Sequence, residues 1–168
     1  GQLRPRTDQR IQANVVAAKY DVARVSVAPA SATAQPPGLQ TFAPGSTRET
    51  TVTFTNTTGA PLSDVTIGLT VPKGWTASVA GTGKASSTVA SVAPGALVST
   101  TFKVTSNATP YNGDMVGRVS WKPAGGAVAQ SETAVQKVRN VSAVTINEFR
   151  VSAGSPSNPT DAFIELYN

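Results

Sequence analysis

The chain has 168 residues, a formal net charge of +5, and neither Cys nor His. The absence of Cys excludes disulfides, thiolate zinc sites and cysteine nucleophiles, and the absence of His removes the commonest general base near neutral pH. Any catalysis would have to rely on Asp, Glu, Lys or Tyr, and we expect neither a catalytic residue nor a cofactor.

The positive charge is unevenly distributed along the sequence. The basic residues near the start are Arg4, Arg6, Arg10, Lys19 and Arg24, whereas later ones occur singly among acidic residues. Because phosphate-binding surfaces need clustered cations, this distribution favours a basic leader over nucleic-acid binding. No apolar run approaches the ~18 residues of a membrane span. We therefore expect no nucleic-acid partner and no membrane partner.

Residues 1–19 differ in pattern from the residues that follow, and we interpret them as a leader or linker. A short helix is the alternative, because Asp8 is suited to cap one. The apolar stripe of that helix would be Ile11, Val15, Ala18 and Val22.

From Tyr20 onward, apolar residues alternate with polar ones, which is typical of strands with one buried face. A first strand is predicted around Val25 and Val27, followed by a Pro-rich break over residues 28–38. Further strands are predicted at Val52 and Phe54, Val65 to Val71, Trp75 to Val79, Val89 and Val92, Val98 to Val104, Met115 to Trp121, and residues 130–141.

This pattern of about seven or eight short strands, with turns every ~8–12 residues, predicts an immunoglobulin-like antiparallel β-sandwich over residues 20–142. No helical segments alternate with the strands, which argues against a parallel α/β sheet. The side chains expected between the two sheets are Phe54, Ile67, Leu69, Phe102 and Val119.

An ordered set of short motifs resembles a known family. The motifs are Phe42-Ala43-Pro44-Gly45, Val52 to Thr57, Val71-Pro72-Lys73-Gly74-Trp75, Val92-Ala93-Pro94-Gly95 and Phe102-Lys103-Val104. Their order resembles the NPCBM-associated domain that follows catalytic domains in α-galactosidases and other secreted bacterial proteins. The resemblance covers about residues 20–141 and implies a non-catalytic, immunoglobulin-like module of a secreted multidomain protein.

A second resemblance concerns residues 143–168. Val144 to Phe149 and Asp161 to Asn168 resemble the opening strands of a lamin-tail domain, which implies a partial domain of that type. Two strands alone are marginal in water. We therefore expect them to pack on the sandwich or to mediate weak self-association with a second molecule.

Three aromatic residues are candidate ligand-binding residues. Tyr111, Trp121 and Trp75 could form a platform for sugar rings. Their alternation along strands favours core packing for the two Trp, whereas Tyr111 falls in a predicted Pro-Tyr-Asn-Gly turn.

Two glutamates are candidates for acid–base chemistry. Glu148 and Glu165 could face each other across adjacent strands and act as a catalytic pair. With Asn147, Asp161 and Asn168 they could instead bind calcium. A structural pair or a solvated face is the alternative that we favour, because a hydrolase needs a cleft.

Three sequons match the N-glycosylation pattern, beginning at Asn56, Asn107 and Asn140. We interpret them instead as strand ends and turns, where Asn is favoured.

The sequence thus predicts a non-catalytic spacer module, secreted as part of a larger bacterial protein whose neighbouring domains are its partners. A carbohydrate- or polymer-binding module is the alternative, and an enzyme ranks third.

Overall fold

The computed structural model describes residues 23–31, 38–126, 128–142, 144–150 and 163–167, which contain strands and turns but no helix. The strands are β1 (Arg24–Pro29), β2 (Gln40–Phe42), β3 (Thr47–Thr55), β4 (Leu62–Thr70), β5 (Thr76–Val79), β6 (Ser86–Val92), β7 (Leu97–Thr105), β8 (Tyr111–Lys122), β9 (Gln130–Asn140), β10 (Thr145–Arg150) and β11 (Phe163–Tyr167). The proposed leader or helix of residues 1–19 lies outside the described residues. Within those residues no helix is long and apolar enough to cross a membrane.

Nine strands form the two sheets of a sandwich. One sheet has the order β1-β3-β7-β5, and the other has the order β2-β9-β8-β4-β6. The prediction of an all-β sandwich is therefore confirmed.

Two details of the sheets differ from the sequence expectation. Strand β2 was not predicted, and it pairs in parallel with β9, so that Gln40 lies opposite Val138. A strand of three residues is too short to show alternation. Backbone pairing and the burial of Gln40 and Phe42 hold it in place instead.

The alternation predicted from sequence is realised most clearly in β3 and β7. Val52 and Phe54 of β3 are fully buried, as is Phe102 of β7. The intervening hydroxyl groups pair across the strands on the outer face: Thr51 with Thr101 at 2.9 Å and Thr53 with Ser99 at 2.8 Å. Period-two burial thus gives each strand one apolar and one hydroxyl-bearing face.

The core is a continuous apolar layer between the sheets. Of the residues expected there, Phe54, Ile67, Phe102 and Val119 are fully buried, and Leu69 is half-buried against the same cluster. The Phe54 ring of the first sheet packs on the Trp121 ring of the second, with centroids 5.2 Å apart. Side chains of both sheets therefore interdigitate.

Strand β1 approaches the second sheet closely at one point. A Cβ placed on Gly117 of β8 would collide with the Val27 side chain of β1 and would lie only 3.1 Å from Val52. Gly117 therefore makes room for the close contact between the sheets.

Four tight turns share one construction. Residues 43–46, 72–75, 93–96 and 123–126 each close with a backbone hydrogen bond from the fourth residue to the first. The third residue in each is a glycine with positive φ, between 68° and 82°. This is the type II geometry, which requires a positive φ at the third position and therefore favours Gly there.

Strands β10 and β11 form a separate two-stranded antiparallel sheet with a register shift between Ile146 and Glu148. Its described apolar side chains are exposed, including Phe149 at 68% and Ile164 at 67%. The two predicted strands are present, and within the described residues neither pairs with a sandwich strand.

Replacing Phe102 with Ala should lower the free energy of unfolding by about 3–5 kcal/mol, because a fully buried ring is lost and a cavity remains. Leu97→Ala is the matched control, since Leu97 lies in the same strand and is 64% exposed. It should cost less than ~1 kcal/mol in denaturant unfolding. Equal costs for the two variants would mean that the inward face of β7 is wrongly assigned.

Candidate functional site

Two of the three candidate aromatic residues meet at one end of the sandwich. Trp75 is the last residue of the 72–75 turn and is only 6% exposed. Its ring packs on Phe42 with centroids 4.7 Å apart, and on the edge of Tyr111 with centroids 5.9 Å apart. Trp75 therefore closes the end of the core, and Tyr111 covers it from the solvent side.

The third aromatic residue lies at the opposite end. Trp121 is 3% exposed and packs on Phe54. It is ten positions from Tyr111 along β8, which at ~3.3 Å per residue separates them by about 33 Å. The three candidates thus do not share one platform. Both Trp residues pack in the core, which was the alternative interpretation.

Tyr111 is the first residue of β8 and not part of a turn, so that prediction from the Pro-Tyr-Asn-Gly run is wrong. Its backbone lies opposite Asn140 of β9, and this pairing overrides the local turn preference of Asn112-Gly113. A Cβ on Gly113 would collide with the Tyr111 ring. The ring is therefore held between Trp75 and Gly113, with 36% of the residue exposed. Ligand binding by Tyr111 stays a prediction.

Two asparagines tie together the turns around this aromatic end. Asn140 is fully buried, and its Nδ2 donates to the carbonyls of Asn107 at 2.7 Å and Thr109 at 2.8 Å. The Asn107 carbonyl also accepts a bond from the Gly45 N–H at 3.1 Å. A Cβ on Gly74 would approach the Asn107 side chain to 2.7 Å. The loops 43–46, 72–75 and 106–110 are thereby fixed against one another.

Asn56 performs the same role at the other end, and its side chain is fully satisfied. Its Nδ2 donates to the carbonyls of Ala60 at 2.9 Å and Val92 at 3.0 Å. Its Oδ1 accepts from the N–H of Thr58 at 3.0 Å and from the Thr58 hydroxyl at 2.6 Å. This one buried amide therefore provides hydrogen-bond partners for backbone groups of two adjacent turns.

The sequons are therefore structural. Asn56 and Asn140 are 0% exposed, and Asn107 is only half-exposed, accepting a bond from the Thr109 N–H at its Oδ1. Asn56 and Asn140 stand at strand ends and Asn107 stands in the turn between β7 and β8, as predicted. Sequence reasoning missed their buried bonding role. For Asn56 the available signal was its position directly after an alternating strand with Thr two positions later, which is typical of an Asx turn.

The glutamate pair has the predicted register, since Glu148 lies opposite Glu165 in the β10–β11 sheet. Asp161 and Asn168 of the calcium set lie outside the described residues, as do the side chains of Asn147 and Glu148. Across the described part of the chain, no three acidic side chains come together as a metal site. Catalysis or calcium binding by these residues stays untested.

A groove with a volume of about 470 Å³ lies beside β2. Its lining includes Leu39, Gln40, Arg48 and Glu49, with no aromatic side chain and a single carboxylate. Glycoside hydrolysis ordinarily uses two carboxylates, so this groove does not resemble a hydrolase cleft.

Comparison with known proteins gives one family. Residues 42–121 match the model of the NPCBM-associated, NEW3 domain of alpha-galactosidase. The matched part runs from the last residue of β2 into β8, so it includes strands of both sheets but neither β1 nor β9. No curated protein sequence matches the chain.

Similar solved structures are distant. Native alpha-2-macroglobulin from Escherichia coli (domain MG7 to the C-terminus) is 18% identical with a TM-score of 0.43, covering 74% of this chain and 17% of its own. The secreted serine protease VesC from Vibrio cholerae is 13% identical with a TM-score of 0.44, and the match covers 82% of this chain and 26% of the protease chain. The GH20 exo beta-N-acetylglucosaminidase from Vibrio harveyi is 15% identical with a TM-score of 0.33, and the match covers 76% of this chain and 20% of the glucosaminidase chain. This chain spans about a quarter or less of each, and likeness at this level carries no functional argument.

Asn56→Ala should lower the free energy of unfolding by about 2–4 kcal/mol, because it removes the amide donor to the Val92 carbonyl and the acceptor of the Thr58 N–H. Asn112→Ala, at an exposed position of β8, is the control and should change it by less than ~0.5 kcal/mol. Denaturant unfolding of both variants checks this. A cost for Asn56→Ala as small as that of the control would show that water replaces the amide and that the turns do not depend on it.

Proposed function

We propose that this chain is a non-catalytic accessory module that acts as a rigid spacer in a larger exported bacterial protein. The family match over residues 42–121 supports an accessory role beside an enzyme, as the family's description associates it with alpha-galactosidase. The proposal has two further parts: the module lies within a longer exported protein, and its partners are the neighbouring domains of that protein.

The observation that carries the spacer role is the path of the chain through the sandwich. The chain enters β1 at Arg24, which lies opposite Thr55 at the end of β3. It leaves β9 at Asn140, which lies opposite Tyr111 at the start of β8. Because Thr47 at the other end of β3 pairs with Thr105, just before β8, entry and exit lie at opposite ends of the sandwich. At ~3.3 Å per residue, strands of this length separate the ends by about 30 Å.

The acidic side chains support a structural role. Asp64 pairs with Lys122 at 2.9 Å and Asp114 with Lys137 at 2.7 Å, both on the outer face of the second sheet. Neither carboxylate faces a second carboxylate in a groove. Each of these exposed pairs contributes little to stability. Together they keep charged, hydrated groups on the outer face of the sheet.

The alternative function is binding of a polysaccharide or another extracellular polymer. Tyr111 is the observation in its favour, because its ring is partly exposed and rigidly held against Trp75. A single aromatic ring is a small surface for a sugar chain, and the buried Trp residues add nothing to it. The spacer role is therefore the better-supported proposal.

Affinity electrophoresis in gels that contain plant or bacterial polysaccharides separates the two functions. The spacer role predicts unchanged mobility in every gel, for this chain and for Tyr111→Ala alike. Retardation that Tyr111→Ala abolishes would establish the polymer-binding function instead. Polysaccharide hydrolysis by the chain that Glu148→Gln removes would contradict both and point to an enzyme.

A further inference from the structure

The four edge strands of the sandwich are not equally protected. Exposed edges are usually blunted by short length, charge or proline. Strands β2 and β5 have only three and four residues, and β1 begins with Arg24 and ends with Pro29. Strand β6 has seven residues, none of them charged and none proline. In the described part of the chain it pairs only with β4, so its other edge is open.

The first half of β6 is well formed for strand addition. Ser86 to Val89 pair with β4 residues Gly68 to Val65 without interruption, and the irregular residue Asp64, with φ of 51°, lies beyond them. A groove of about 420 Å³ runs beside this half, lined by Val79, Lys84 and the start of β6. An added strand would find unpaired backbone groups at the edge and a groove for alternate side chains.

Strand β11 has the matching properties. Ile164 and Leu166 lie on one face of it and are 67% and 63% exposed. Glu165 lies on the opposite face and is also exposed. A strand with two exposed apolar residues on one face therefore complements an open, uncharged edge that has a groove beside it.

We propose that β11 of one copy adds to the edge of β6 in a second copy. The new strand pair satisfies backbone groups that face solvent in both elements, and Ile164 and Leu166 are removed from water over the groove. Glu165 of the added strand lies on the face away from the groove and stays in contact with solvent. The two surfaces are different, so the contact is heterologous and assembly proceeds head to tail.

Sedimentation velocity on the full chain tests this contact with two variants that each add two carboxylates. Ser86→Glu/Thr88→Glu blocks the β6 edge, and Ile164→Glu/Leu166→Glu blocks β11. The parent chain should self-associate at concentrations up to about 1 mM, and each variant alone should associate at least about tenfold more weakly. An equimolar mixture of the two variants should form a complex of twice the 17.2 kDa chain mass that grows no further, because each supplies the surface that the other lacks.

Ser131→Glu/Thr133→Glu is the matched control, since it places two carboxylates on exposed positions of β9 away from β6. It should associate like the parent, and denaturant unfolding should show that all variants remain folded. The proposal is overturned if the parent stays monomeric, if the mixture fails to form the complex, or if the β6 variant alone still associates like the parent. The last result would mean that the β10–β11 sheet pairs with itself.

Discussion

The structure depends on the contact between two apolar faces, one from each sheet. Strands β3, β4, β7 and β8 bury alternate side chains, and the Phe and Val side chains of β3 and β7 meet the buried apolar side chains of β4 and β8 across the sandwich. A one-residue slip of any strand would turn its apolar side chains to solvent and its Thr side chains into the core. The register is therefore set by burial, and the hydroxyl ladder on the outer face follows from it.

Turn chemistry at the two ends completes this arrangement. Positive-φ glycines close the turns, and buried amides connect neighbouring turns where backbone groups would otherwise lack partners. The amide of Asn56 serves one end, and that of Asn140 serves the other. Because both ends are fixed by hydrogen bonds and the middle by interdigitated side chains, the sandwich is expected to behave as one rigid body. Rigidity of this kind is the physical requirement for a spacer.

The sequence was sufficient for features that depend on burial of one strand face. Strands β3, β4, β7 and β8 were predicted from alternation alone, and Phe54 and Phe102 proved to be core residues. Features that depend on contacts distant in sequence were not predictable. β2 is too short to show a period and exists through its pairing with β9. Tyr111 was assigned to a turn because Asn112-Gly113 is a strong local signal, and the distant pairing with β9 overrides it.

The candidate site was less predictable for the same reason. The positions of Trp75 and Trp121 indicated core packing, but not that they close opposite ends of the sandwich. The buried role of Asn56 and Asn140 depends on carbonyls that other turns present, which no local pattern encodes. The β10–β11 strands were recognisable from the sequence, whereas only the topology shows that, among the described residues, neither pairs with a sandwich strand.

The spacer account makes its most direct claim about the distance between the points where the chain enters and leaves the sandwich. Because the chain lacks Cys, Arg24→Cys/Ser142→Cys gives two unique spin-label sites for a pulsed electron paramagnetic resonance measurement. The account predicts a narrow distance distribution centred at about 25–40 Å. The control pair is Arg24→Cys/Leu97→Cys, in which both positions lie opposite Thr55 of β3 at the same end of the sandwich. Their backbone positions should be only ~10 Å apart. A broad distribution for the first pair, or one as short as the second, would contradict a rigid body whose two connections lie at opposite ends.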